Sequence, residues 1–336
     1  MTAKSAKPKS LYLLSPSSFE LIYSPSVRAE IETMVDLYAP PQTPASILEN
    51  PSVLSKAKII LSGWGMATID EKFLKAAPAL KAVFYGAGTI RYFMTEAAWN
   101  RGLLVVSAYA ANAVPVIEFT VSQIMFSLKR GWYYALKIKQ DGKYPPKEPV
   151  PSGYGSTIGL ISLGMVGRGV AQKLQQYDLH VIAYDPFITP QEADSLKVEL
   201  CSLEDIFRRA DVVSLHTPWL KETEGMISGE HLRLLKPNAH FINTARGAVV
   251  KEAEMIQVLQ ERPDVFAILD VTYPEPPEPG SPLYTLPNVV LTPHIAGAMS
   301  RECYRMGELM LSELKHYLAG EPLLYAITRQ KAAILA

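Results

Sequence analysis

The stretch "GLISLGMVGRGVA", residues 159–171, decides how this chain is read. It passes from an apolar strand through a tight turn into a helix, the setting in which a G-x-G-x-x-G fingerprint receives a pyrophosphate. The three fingerprint positions are Ser162, Gly164 and Gly167, so the first glycine is replaced. That first slot asks for a tight turn, which a small serine meets less easily than glycine. Gly164 lets the backbone approach the phosphates, and Gly167 lets the helix pack closely on the strand. The amides of Met165 and Val166 then open the helix and point their hydrogens at the anion.

Working outward, the next strand, "HVIAYD" (180–185), ends in Asp185, which lies 185 − 167 = 18 residues beyond the last glycine. A carboxylate at about that interval accepts hydrogen bonds from the adenosine ribose hydroxyls and repels an added 2′-phosphate. No arginine or lysine follows in "YDPF", so NAD (NADH in its reduced form) is expected and NADP is disfavoured. The bland alternative is that Asp185 only opens an Asp-Pro turn.

The strand pattern continues through "DVVSLH" (211–216), "HFINTA" (240–245), "FAILDV" (266–271) and "NVVLTPH" (288–294), with helical stretches between most of them. Near-continuous apolar runs of this kind belong to a parallel sheet covered on both faces. A doubly wound sheet of six or seven strands is expected. Upstream, "KIILSG" (58–63), "KAVFYGAG" (81–88) and "LLVVSA" (103–108) alternate with helix-like stretches at 70–77 and 92–100 and read as a second α/β unit. A long helix is expected from near Pro115 towards residue 140, buried because Glu118 is the one charge between Val114 and Leu128. "DGKYPPKEPVPSGYGS" (141–156) reads as a surface crossing, 301–319 as a helix, and "EPLLYAI" (321–327) as a strand returning to the first unit.

Composition bounds the function. The 336 residues are 48% hydrophobic and 20% charged, with 33 basic residues against 33 acidic ones. A globular chain is implied, and a nucleic-acid partner is not, because a basic footprint is missing. Cys201 and Cys303 fit no metal-ligand spacing and are too few for a disulfide framework, which favours a reducing compartment. The basic start "MTAKSAKPKS" is followed by "LYLLSPSSFELIYS", where serine, proline and glutamate break any signal-peptide core. A cytoplasmic location, without membrane or metal, is expected.

Three stretches carry the chemistry. "NTARGAVV" (243–250) places Arg246 just after a strand, "LDVTYPEPPEPGSPLY" (269–284) carries Glu275 past the next, and "LTPHIAGA" (291–298) puts His294 after the last. All three fall beyond carboxyl ends of strands, where open α/β sheets bind ligands. A guanidinium offers a planar fork to a 2-oxo carboxylate. Histidine can protonate a carbonyl oxygen while hydride reaches its carbon, and a nearby carboxylate holds the imidazole tautomer. Taken singly, each residue reads more readily as a bland feature: Arg246 as a surface ion-pair donor, Glu275 as a loop charge, His294 as a strand-end histidine. Their order behind a dinucleotide fingerprint is what gives them meaning.

With these motifs in place, the chain resembles the D-isomer-specific 2-hydroxyacid dehydrogenase family, in particular its glyoxylate and hydroxypyruvate reductases. The resemblance rests on "LHTPWLKETEGMIS" (215–228), "NTARG" (243–247), "LDV" (269–271) and "PNVVLTPHIAG" (287–297), and more loosely on "APALKAVFYGAG" (77–88) and "VIEF" (116–119). It implies two Rossmann-like or flavodoxin-like α/β domains, each a doubly wound parallel sheet, with a deep cleft between them. Residues 1–108 with 299–336 would form a discontinuous substrate domain, and 109–298 the NAD-binding domain. The implied activity is hydride transfer between NAD(H) and a D-2-hydroxy or 2-oxo acid. Arg246 would clamp the substrate, His294 would act as acid and base, and Glu275 would be its partner. Cofactor contacts are implied at Ser162, Gly164, Met165, Val166, Gly167, Asp185, His216, Thr217, Pro218, Thr244, Ala245, Arg246, Asp270, His294, Ala296 and Gly297. Ala87, Gly88 and Thr89 would hold the substrate carboxylate, with Arg246 and His294. Family members are typically homodimers joined through the nucleotide domain and the long helix.

The departures are Ser162 in the fingerprint, Ile90 and Arg91 where "GAGTIRYF" (86–93) lacks an aspartate, and Lys251 in place of an acidic residue, although Glu252 follows. Trp64 in "GWG" (63–65) reads equally as a pocket residue or an ordinary tryptophan. The length leaves little room for an added regulatory domain. A rival reading is a non-enzymatic NAD(H)-sensing scaffold resembling the C-terminal-binding corepressors, which retain the same fold and residue types.

Overall fold

The computed structural model describes residues 6–334, apart from the side chain of Ile334; the first five residues of the basic start and the last two of the chain lie outside that range. In chain order the strands are β1 (Lys9–Leu13), β2 (Asp36–Leu37), β3 (Ile59–Ser62), β4 (Ala82–Tyr85), β5 (Leu104–Ser107), β6 (Tyr154–Ile161), β7 (Asp178–Tyr184), β8 (Glu199–Leu200), β9 (Val212–Leu215), β10 (His240–Asn243), β11 (Phe266–Leu269), β12 (Val289–Leu291) and β13 (Ala326–Ile327). They build two compact units, residues 1–112 with 298–336 and residues 113–297.

The first unit is a six-stranded sheet in the order β13-β5-β4-β3-β1-β2. From β2 to β5 this is the flavodoxin-like order 2-1-3-4-5, all parallel, with β13 added antiparallel along β5. One face is filled by Leu54, Phe73, Leu74 and Phe93 under the short helices Pro44–Glu49, Glu71–Ala76 and Glu96–Asn100. The other carries Ile22, Val27, Met306, Met310 and Leu314 from the helices Pro16–Ile22, Pro25–Met34 and Tyr304–Ala319. "LYLLSPSSFELIYS" forms most of β1 and the helix after it, capped by Ser15. The strand expected in "EPLLYAI" is β13, and the carboxylate of Glu313, 1% exposed, holds the approach to it by accepting from Leu324 N and Tyr325 N.

The second unit is a seven-stranded parallel sheet in the order β12-β11-β10-β9-β6-β7-β8. Outward from β6 this is the dinucleotide-binding order 3-2-1-4-5-6 with a seventh strand, so the order reverses between β6 and β9. Because every strand is parallel, all the loops that follow them leave at one edge.

The long helix expected over 115–140 is instead two helices, Tyr109–Leu128 and Gly131–Asp141. It begins earlier because the Ser107 hydroxyl accepts from Tyr109 N at 3.2 Å, and Pro115 is accommodated within it. It stops where Arg130 turns left-handed at φ 51°, and a left-handed residue ends an α-helix. Tyr109–Leu128 is apolar and long enough to cross a membrane by length and composition, but half of that stretch is buried within the protein, through Ala113, Ile117, Ile124 and Leu128. The helix expected at 92–100 is shorter, Glu96–Asn100, because Thr95 caps it by accepting from Ala98 N.

Candidate active site

In the second unit the fingerprint turn joins β6 to the helix Met165–Leu174. Ser162 lies at φ 76°, a left-handed conformation that glycine adopts freely and serine does not. Its hydroxyl donates to Asp185 Oδ2 at 3.4 Å, and Leu163 N donates to the same oxygen at 2.6 Å. Oδ1 accepts from Phe187 N at 2.9 Å, so the half-buried Asp185 carboxylate is tied to the turn as well as to its own loop. Gly164 is the N-cap residue, and a Cβ there would meet nothing within 4 Å. At Gly167 a Cβ would lie 2.1 Å from Ser162 O, so only glycine lets the helix approach the turn this closely.

At the reversal point of the sheet, His216 N donates to Ile161 O, joining the end of β9 to the end of β6. Both ring nitrogens of His216 and the hydroxyl of Thr217 are shielded from solvent and have no hydrogen-bond partner among the described residues. Burial pushes the His216 imidazole down to about 4, which keeps it neutral near pH 7. Pro218 continues this loop beside Trp219, whose ring meets that of Tyr273 edge-on at 5.3 Å. Orphaned polar atoms, an open glycine N-cap and a preset carboxylate together fit an adenine dinucleotide. Met165 and Val166 would offer amides to its pyrophosphate, Asp185 would meet its ribose, and Thr217 a polar group of the ligand.

The loops after β9, β10 and β11 are laced together. Gly225 N and Ile227 N donate to Ala248 O and Val249 O at 2.9 and 3.0 Å. Gly247 runs so close to Thr272 that a Cβ would lie 2.0 Å from its carbonyl carbon. Glu252, present beside the unexpected Lys251, accepts from Tyr273 N at 2.9 Å, and burial pushes its carboxyl above the ordinary value. The "NTARG" turn is shaped by Asn243, whose amide side chain accepts from Ala245 N and donates to Arg246 O. Thr244 is buried and shares a hydrogen bond of 3.0 Å with Thr120 of the long helix. Arg246 is half-buried and donates from Nη1 to Ala245 O at 2.6 Å.

After β11 and β12 the expected pair meets. His294 Nδ1 lies 2.6 Å from Glu275 Oε1. Both side chains are partly exposed, so the imidazole remains accessible. Asp270, 2% exposed, is occupied locally: its carboxylate accepts from Thr292 Oγ1 at 2.6 Å, Ile295 N at 2.8 Å and Ala296 N at 2.9 Å. It thereby shapes the backbone from His294 to Gly297. Ala87, Gly88 and Thr89 belong to the other unit and follow β4. There Ser107 Oγ donates to Ala87 O and Gly88 O at 2.8 and 2.6 Å. The sequence reading names Glu252 only as the acidic residue after Lys251, and it quotes Asn243 and Ser107 only as members of the stretches "NTARG" and "LLVVSA"; no local signal gives any of the three its partner.

A family model described as "D-isomer specific 2-hydroxyacid dehydrogenase, NAD binding domain" matches residues 122–296. A glyoxylate reductase from Thermofilum pendens is 36% identical over 261 residues, covering 75% of this chain and 76% of that protein. A D-3-phosphoglycerate dehydrogenase from Archaeoglobus fulgidus is 30% identical over 260 residues, covering 77% of this chain, and the chain spans only about half (49%) of its length. Among solved structures, a D-isomer specific 2-hydroxyacid dehydrogenase from Lactobacillus delbrueckii ssp. bulgaricus, in its NAD-complexed form, superposes with a TM-score of 0.79 over 95% of this chain and 100% of that one. At 24% identity that likeness speaks for the fold. A fingerprint at a sheet reversal, a His–Glu pair beyond the next strands, and a family match across the unit that holds both give one result: the chain belongs to the D-isomer specific 2-hydroxyacid dehydrogenase family.

Proposed function

We propose that the protein is an NAD(H)-dependent oxidoreductase that interconverts a small 2-oxo acid and its D-2-hydroxy acid. The observation that carries this reading is the 2.6 Å contact between His294 and Glu275 in a unit with a dinucleotide fingerprint. With Nδ1 engaged by the carboxylate, Nε2 is the imidazole nitrogen free to work, and it exchanges the proton with the substrate oxygen. Arg246 binds the carboxylate and carbonyl oxygen of the substrate through its planar fork. The family resemblance assigns Ala87, Gly88 and Thr89 to binding of the substrate carboxylate. When bound, the nicotinamide ring supplies the hydride in reduction and accepts it in oxidation. Asp185 favours NAD by disfavouring an added ribose phosphate. A homodimer in a reducing, cytoplasmic compartment completes the proposal.

The test is a panel of glyoxylate, hydroxypyruvate, pyruvate and bulkier 2-oxo acids with NADH, followed by absorbance. Turnover is expected with at least one of them, and Arg246→Ala should nearly abolish it while leaving NADH binding largely intact. His294→Ala should lose activity similarly, with only a modest change in NADH affinity. Tight NADH binding with no turnover across the panel would overturn the enzymatic reading in favour of a sensing scaffold.

A further inference from the structure

We propose that the C-terminal helix Arg329–Ile334 is a clasp on the loop 86–91, and that Arg91 and Lys331 are positioning residues that set the loop's substrate-binding conformation. The proposal rests on the reading that this loop takes the substrate carboxylate. Every contact in it lies within the first unit.

The helix is tied to the loop from two sides. On one side, Arg91 Nη2 donates to Ala333 O at 3.3 Å, in the last turn of the helix, where carbonyls lack intrahelical donors and carry the negative end of the dipole. Arg91 N also donates to Thr89 Oγ1 at 3.5 Å. On the other side, Lys331 Nζ donates to the Tyr109 hydroxyl at 2.7 Å and lies 4.9 Å from the centre of its ring. Tyr109 N donates to Ser107 Oγ, and that hydroxyl donates to the carbonyls of Ala87 and Gly88. Arg329, paired with Glu96, anchors the start of the helix, and Ala332 packs its middle on the core.

This arrangement accounts for the departure at "GAGTIRYF". A carboxylate at position 91 would face the carbonyl end of a helix and be repelled, whereas a guanidinium supplies the donors that end needs. A helix of six residues does not persist alone, so these contacts hold it as much as it holds the loop. Exposed ion pairs contribute little each, so loosening the clasp should alter the loop and leave the fold intact.

The experiment uses the full chain carrying Arg91→Gln with Lys331→Gln. Amide hydrogen exchange at residues 86–91 is expected to accelerate by about tenfold, with the amides of β6 to β12 unchanged. KM for the 2-oxo acid should rise by roughly five- to tenfold while kcat stays within about twofold, and NADH affinity should not move. Lys331→Arg alone should retain wild-type behaviour. Unchanged exchange at 86–91, or a loss confined to kcat, would overturn the proposal. If the wild-type chain turns over no 2-oxo acid, the enzymatic reading fails and the exchange measurement alone decides the clasp.

Discussion

Glu275 Oε1 stands 2.6 Å from Nδ1 of His294, and the main chain of His294 is itself left-handed, at φ 54°. A non-glycine residue in that conformation costs about 1–3 kcal/mol and persists only where its surroundings impose it. Here His294 N donates to both Asp270 O and Thr292 O, and the Asp270 carboxylate holds the two amides that follow. The ring is thus aimed by Asp270 and held at one nitrogen by Glu275. Glu275→Gln keeps the shape and removes the charge, so kcat/KM should fall by about a hundredfold with NADH affinity unchanged. Steady-state kinetics beside a direct NADH titration check this; a change within about twofold would remove Glu275 from the proton-transfer machinery.

Ser162 presents the opposite situation, a strained backbone with a weak reward. Its φ of 76° suits glycine, and its hydroxyl reaches Asp185 at only 3.4 Å. Ser162→Gly should therefore stabilise the fold by up to about 1 kcal/mol, the strain relieved exceeding the bond lost. NADH affinity should move by less than about 1.4 kcal/mol, or tenfold. Urea unfolding and fluorescence titration measure the two quantities, and a hundredfold loss of affinity would give the serine a direct part in binding.

Two glycines of the same turn should respond differently. Gly164→Ala adds a methyl group into open space, so stability should hold while NADH binding weakens by about tenfold or more, because the methyl would enter the space proposed for the pyrophosphate. Gly167→Ala drives a Cβ to 2.1 Å from Ser162 O, which only a shift of the helix relieves. It should cost about 3 kcal/mol of stability and binding together. Equal effects of the two substitutions on stability would refute the distinction.

His216 and His240 predict the acid side of the stability profile. Burial lowers both to about 4, with Arg130 adding to the effect on His240. A depressed folded-state value means that the unfolded chain takes up the proton first. Stability is then complete above about 6.5 and declines as pH falls from there to about 4. Urea midpoints at pH 7.5 and pH 5 should therefore differ, lower at pH 5, and His240→Gln should reduce that difference. A midpoint independent of pH over this interval would contradict the neutral, buried state of both rings.

Much of the site could be read along the chain because its parts are local. β6, the turn and the following helix form one continuous stretch, and Asp185, Arg246, Glu275 and His294 each follow an apolar strand by a few residues. Apolar runs specify parallel strands buried on both faces, and chain order then places every following loop at one edge. The break at Arg130 is not legible because a single left-handed residue leaves no trace in an apolar pattern, and β1 is masked because its apolar residues run straight on from the basic start of the chain.

Sequence by itself determined most of the strands, the fingerprint and the residue types available for hydride and proton chemistry, because periodicity and spacing act over a few residues; β1, β2 and β8 are the strands it does not mark. Only the tertiary structure decided the partnerships: Glu252 holding Tyr273, Asp270 aiming His294, and Arg91 reaching Ala333 across 242 residues. These are bonds between loops and termini that meet once sheet order and helix packing are set. That order is a property of long-range burial, and no local stretch of the chain encodes it.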